Sequence, residues 1–193
     1  MLLGLIEIFD IIIMTLVVGF IFKDLFPRRP KVEVITPEYY LRKRRKGFNW
    51  NDFWFAAAIV APSIILHEFG HKFSAIYYGL SATFHAAYTW LVIGVVLKLI
   101  SPGFIFFVPA YVSYPNIATP LQSTLIAFAG PAVNLVLWIV PWLITKKAKL
   151  KRDAYHFLFL LSRINMLLFI FNMIPIPGFD GYWVFNGLFQ VLF

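Results

Sequence analysis

Hydrophobic positions fall in four long, nearly unbroken runs, Leu2 to Phe22, Phe53 to Tyr78, Thr124 to Thr145 and Tyr155 to Ile174, rather than at the spacing of one-sided amphipathic helices. Each is close to or above the about 20 residues that cross a bilayer core. Polar residues collect between the runs, above all in "FPRRPKVEVITPEYYLRKRRKG" and "KKAKLKR". The pattern predicts an all-α polytopic membrane protein with four to six transmembrane helices. The first run has no basic n-region, exceeds a signal peptide's apolar region and lacks a small-residue cleavage site, so it reads as a retained anchor with Glu7 and Asp10 near the interface. Between the second and third runs, "GFIFFVPAYVSY" is rich in aromatic and β-branched residues and bounded by breakers, which predicts a small membrane-embedded strand pair or re-entrant hairpin. Trp90 to Ile100 reads equally as a lipid-facing helix interrupted at Pro102 and Gly103. The last run, "YWVFNGLFQVLF", is about 18 Å long if helical and too short for a comfortable span.

Composition strengthens this reading. Of 193 residues 61% are hydrophobic, 19% aromatic and only 13% charged, and the mean hydropathy is +0.79, which excludes an ordinary soluble domain. An integral, multi-pass protein of the cell membrane is expected. With no cysteine the chain has no disulfide, thiolate metal site or thiol nucleophile. The net charge of +8 lies mostly in the two basic segments beside apolar runs, where it sets topology or meets anionic lipid; the expected partner is the bilayer, with no nucleic acid. Without repeats, heptads or Gly/Ser linkers, the chain divides into an N-terminal transmembrane anchor (1–23), a basic extramembrane loop (24–52) and one membrane core (53–193).

Inside the second run, "IILHEFGHKFSAIYYGL" carries charge where lipid would not tolerate it, since a carboxylate at mid-membrane costs roughly 2.5–3.5 kcal/mol on insertion scales. His67 and His71, four residues apart on a helix, lie on one face about 6 Å apart along the axis and can bridge one zinc ion. Glu68 beside them can take a proton from water acidified by the ion and deliver it to a leaving amine. A catalytic zinc needs a third protein ligand. Asp180 in "FNMIPIPGFDGYW" is the best candidate, because Pro175, Pro177 and Gly178 break the helix before it, and irregular backbone at membrane depth belongs around an internal site. Asp24, Asp52 and Asp153 border spans, Asp10 lacks such a context, and His85 and His156 have no partner at ligand spacing. In "AFAGPAVNLVLW", Gly130 permits close helix approach beside Pro131. Asn134 is either an interhelical hydrogen-bonding group or a donor to a developing oxyanion.

Taken together, "HEFGHKFSAIYYG", "AGPAVN" and "NMIPIPGFDG" resemble, in order and spacing, the HExGHxxxAxxxG, AGPxxN and NxxPxPxxDG segments of the site-2 protease family of intramembrane zinc metalloproteases. The match covers Phe53 to Tyr182. It implies one zinc ion held by His67, His71 and Asp180, Glu68 as general base, and Asn134 stabilising the oxyanion or positioning substrate. Asn172, Pro175, Pro177, Gly130 and Pro131 would shape the site. It further implies a membrane-embedded sheet before the AGPAVN helix, and hydrolysis of peptide bonds in or near transmembrane segments of a membrane-embedded protein substrate. Phe179 stands where leucine is usual, and no PDZ module or CBS pair is recognisable. The competing class is a non-catalytic scaffold or transport protein with a structural metal site; oligomeric state is not legible.

Charge also bears on orientation. If both basic segments are cytoplasmic, the His-bearing helix starts in the cytoplasm, Ser81 to Gln122 makes no net crossing, and the site lies in the outer half of the membrane, inverted from the typical family arrangement.

Overall fold

The computed structural model describes residues 3–28, 48–100, 109–115 and 117–193; most of the basic loop, and the Gly103 to Val108 part of the expected hairpin, lie outside the described residues. Among these described residues six helices and two strands follow one another: α1 (Leu5–Phe22), α2 (Trp50–Tyr77), β1 (Thr83–Ala86), α3 (Tyr88–Ile100), β2 (Ala110–Ser113), α4 (Pro120–Lys147), α5 (Arg152–Asn172) and α6 (Asp180–Leu192). Of these, α1, α2, α4 and α5 are long and apolar enough to cross a membrane, which makes this an all-α polytopic membrane protein with one small sheet. The other two helices have 13 residues each, about 20 Å.

Burial departs from that of a soluble protein, although an apolar core that includes Met14, Val18, Ile59, Val60 and Phe84 is buried as well. Leu5, Ile6, Phe9 and Ile12 of α1, Trp54 of α2 and Val136 of α4 are exposed, while Glu7, Asp10, Glu68, Lys72, Asn134 and Asn165 are buried. Large apolar side chains outside and polar ones inside suit lipid as solvent. Among apolar surroundings the helices associate through close packing rather than water exclusion. Gly19 is one place where this is visible: a Cβ there would stand 2.9 Å from the Ala57 Cβ, so α1 reaches α2 only because Gly19 has none. Helix α4 packs against α2, α5 and α6 and so forms the middle of the bundle.

The expected small sheet stands between α2 and α4. β2 pairs antiparallel with β1, Thr83 opposite Ser113 and Ala86 opposite Ala110, so "AYVS" has "TFHA" as a partner across the whole of α3. Trp90 to Ile100 is helical. Glu7 and Asp10 depart from the expected interfacial place: both are buried against β1, where Glu7 accepts from Phe84 N–H and forms an ion pair with Lys72, and Asp10 accepts from Ala86 N–H and the Tyr88 hydroxyl. At the far end of α1, burial raises the Asp24 carboxyl, but Lys98 and Lys23 outweigh it and hold the group below the usual range.

Because Thr83 lies opposite Ser113, the chain enters the sheet from α2 and leaves it towards α4 at one level. Ala75 in the last turn of α2 and Leu80 just after it pack with Ile126 of α4. The α2 C-terminus and the α4 N-terminus are therefore on one side of the bundle, and Lys146 to Arg152 on the other. Single cysteines at Lys43 and Lys149, in a chain that has none, are expected to resist an impermeant thiol reagent on intact cells if the positive segments are inside. Labelling of both would refute the inverted orientation; labelling of one alone would show that Ser81 to Gln122 crosses.

Candidate metal centre and active site

His67 and His71 stand one turn apart on α2, with ring centroids 4.7 Å apart and planes at 83°. Each ring is fixed through Nδ1. His67 Nδ1–H donates to Asn134 Oδ1 at 2.5 Å, and His71 Nδ1–H donates to the Ile126 carbonyl at 2.7 Å. Both partners are acceptors, so both Nδ1 atoms carry a proton, and in the neutral rings that a metal ion requires the Nε2 atoms are the ligand positions. Those Nε2 atoms lie 3.1 Å apart. Asp180, the first residue of α6, places Oδ2 3.1 Å from His67 Nε2 and Oδ1 3.4 Å from His71 Nε2.

Two imidazole nitrogens and a carboxylate thus converge on one point. Such a set is ready to hold a cation, and Asp180 Oδ2 is buried with no hydrogen-bond partner among the described residues. Ligand atoms of all three residues fall within 4.8 Å of one another. Two imidazole nitrogens on one tetrahedral zinc would stand roughly 3.3 Å apart, close to the spacing seen here. The donor set therefore fits a divalent ion of zinc's preferences. Glu68 lines the same cavity, and among the described residues nothing hydrogen-bonds its carboxylate.

The AGPAVN segment explains the close quarters. A Cβ on Gly130 would meet His67 Nε2 at 2.8 Å and His71 Cε1 at 2.6 Å, and one on Gly70 would meet the Ala129 carbonyl oxygen at 2.6 Å. Two glycines, one per helix, let α4 reach the imidazoles. Pro131 is buried and cannot donate to Ala127, which loosens the helix ladder in the turn whose Ile126 carbonyl receives His71. Downstream, a Cβ on Gly181 would meet the Met173 carbonyl group at 2.5 Å, so the start of α6 is pressed against the end of α5 and Asp180 is aimed inward. Asn172 lines the cavity, whereas Pro175 and Pro177 are exposed in the link that ends α5.

Asn134 has a different place from the oxyanion role. Its Oδ1 receives His67, and its amide group donates to the Ser63 carbonyl at 3.1 Å and to Asn165 Oδ1 at 2.8 Å, which leaves no hydrogen for an incoming oxyanion. It orients His67. Asn165, which the sequence reading passed over, donates in turn to Ser63 Oγ and to the Leu161 carbonyl. Its only sequence signal is an amide in the middle of an apolar span. The rival carboxylates are elsewhere: Asp10 of α1 bonds the Ala86 amide of β1, Asp24 is with Lys23 and Lys98, Asp52 at the α2 cap and Asp153 near Arg28. His85 bonds Ser113 and His156 the Pro27 carbonyl.

The cavity has a volume of about 520 Å³. Val60, Ile64, Ile164, Leu167 and Phe171 give it apolar walls, and Pro109 to Val112 with Tyr114 form one border. Phe84 and Ala86 turn their amides to α1, and Ala87 N–H bonds the Pro109 carbonyl. By the alternation of an antiparallel pair, the backbone groups of Ala110 and Val112 point away from β1, and no strand pairs with that edge among the described residues.

Curated relatives agree with the motifs. The chain is 37% identical over 123 residues to the "Putative zinc metalloprotease MJ0611" of Methanocaldococcus jannaschii, covering 63% of this chain and 64% of that one. It is 31% identical over 137 residues to the "Putative zinc metalloprotease Rip2" of Mycolicibacterium smegmatis and 28% identical over 125 residues to the "Putative zinc metalloprotease sll0528" of Synechocystis. Those matches cover 62% and 65% of this chain but 51% and 28% of the relatives' lengths. These names are consistent with the site-2 protease family that the three motifs resemble. No family model and no solved structure gives a match.

Proposed function

We propose that the chain is an intramembrane zinc metalloprotease that hydrolyses peptide bonds within or near transmembrane segments of membrane-anchored proteins. The observation that carries this reading is the convergence of three potential metal ligands, His67 Nε2, His71 Nε2 and the Asp180 carboxylate, beside an unengaged Glu68 among apolar spans. These three residues would hold the ion, which when bound supplies Lewis acidity that acidifies water and polarises a carbonyl. Glu68 takes the proton of the attacking water as its oxygen bonds to the carbonyl carbon. It returns that proton to the amine nitrogen as the C–N bond breaks. Asn134 and the Ile126 carbonyl hold the imidazoles in register throughout. A helical substrate shields its peptide bonds, and the unpaired edge of β2 offers an unwound segment backbone partners beside the cluster, with apolar walls for its side chains.

Purified in detergent, wild type and Glu68→Gln are expected to bind zinc alike, while the variant cleaves a transmembrane reporter roughly 10²–10⁴-fold more slowly, the loss typical of a missing general base. Equal cleavage by both proteins, or zinc-loaded wild type that cuts nothing across a varied reporter panel, would overturn the reading.

A further inference from the structure

The chemistry above leaves two buried carboxylates unused. Glu7 and Asp10 are 5% and 3% exposed on a helix whose other residues are apolar apart from Thr15, an expensive placement in a membrane. Three residues apart, they share one face of α1 and meet alternate amides of β1: Phe84 N–H reaches Glu7 Oε1 at 2.7 Å, and Ala86 N–H reaches Asp10 Oδ2 at 3.1 Å. Three residues rise about 4.5 Å along a helix and two rise about 6.7 Å along a strand, a mismatch that the longer glutamate side chain takes up. The pair thus receives β1 as a third strand would. The same carboxylates reach further. Glu7 binds Lys72, which is 1% exposed and follows His71 directly, and Asp10 takes the hydroxyl of Tyr88 at the start of α3. One carboxylate therefore links the amide of a sheet residue to the helix that carries the metal-binding histidines.

We propose that Glu7 and Asp10 are positioning residues for substrate: by closing the β1 edge of the sheet and tying it to Lys72, they leave the β2 edge as the accepting one, at a fixed place beside the cluster. This rests on the protease reading. An added strand is then held in one register against Ala110 and Val112, and that register selects which peptide bond meets Glu68.

The test uses the full chain in detergent, with zinc content, KM and kcat on a transmembrane reporter, and mass-spectrometric mapping of the cut bond. Asp10→Leu is expected to keep its zinc, raise KM about tenfold with kcat changed less than about threefold, and spread cutting onto neighbouring bonds. Asp10→Asn, which retains an oxygen for Ala86 N–H, is expected to restore a single cut bond. Should the leucine variant fail to insert, Asp10→Ser, too short to reach the amide, takes its place with the same expectation. A variant that cuts the same single bond with unchanged KM, or that loses zinc together with activity, overturns the proposal, because the pair then acts only as structure. Zinc-loaded wild type that cuts no reporter overturns the protease reading too, so the two failures are distinguishable.

Discussion

His67→Ala, His71→Ala and Asp180→Ala are each expected to purify with less than about a tenth of the wild-type zinc content and with no measurable cleavage, because a site with three protein ligands falls to two. The three residues come from two elements, so the losses separate local from tertiary causes. The spacing of the histidines is set within α2, whereas Asp180 reaches them only through the packing of α6 against the end of α5. Asn134→Ala belongs in the same series at an intermediate level. It leaves His67 Nδ1 without its acceptor at 2.5 Å, so zinc affinity is expected to fall about 10–100-fold, and cleavage should recover when zinc is added in excess. An oxyanion donor would behave oppositely, with full zinc affinity and a rate loss that zinc cannot repair. Equilibrium zinc titration against a competing chelator, read beside cleavage, distinguishes the two. Full occupancy in Asp180→Ala would remove that residue from the ligand set.

Much of this architecture was legible because long apolar runs and helix breakers are local signals. The four spans read from the sequence start and end within a few residues of α1, α2, α4 and α5, and the ordered motifs pointed to the residues that meet in the cavity. What was not legible depends on contacts between distant segments. "TFHA" has only four residues and no clear alternation, and it becomes a strand because β2 lies on one side and two carboxylates on the other. Glu7 and Asp10 looked interfacial because their partners are backbone amides 77 and 76 residues away, which no side-chain pattern announces. Asn134 could be read either as donor or as glue until its hydrogen bonds were counted. Once Ser63, Asn165 and His67 take them all, the choice follows from valence.

Gly130→Ala is expected to destroy the metal centre while leaving the fold in place. Alanine is the better helix former by about 0.8–1.0 kcal/mol, so α4 has no local reason to unravel. The difficulty is what the methyl meets: His67 Nε2 at 2.8 Å, His71 Cε1 at 2.6 Å, and His71 Nε2 closer still. Neither ring can turn aside cheaply, since one is held by Asn134 and the other by the Ile126 carbonyl. Nor can α4 retreat without carrying away both of those partners, which it supplies itself. Either response pulls apart the ring positions on which the ligand geometry depends. Zinc affinity is expected to fall at least about 100-fold, beyond the loss of a single supporting hydrogen bond, with helical circular dichroism unchanged. Gly70→Ala presses on the Ala129 carbonyl from the other helix and should act in the same direction, whereas Gly79→Ala, with nothing within 4 Å and only its φ of +78° to strain, should leave zinc binding intact. A Gly130→Ala protein that titrates zinc like wild type would mean that the two helices are not held as closely as the glycine pair implies.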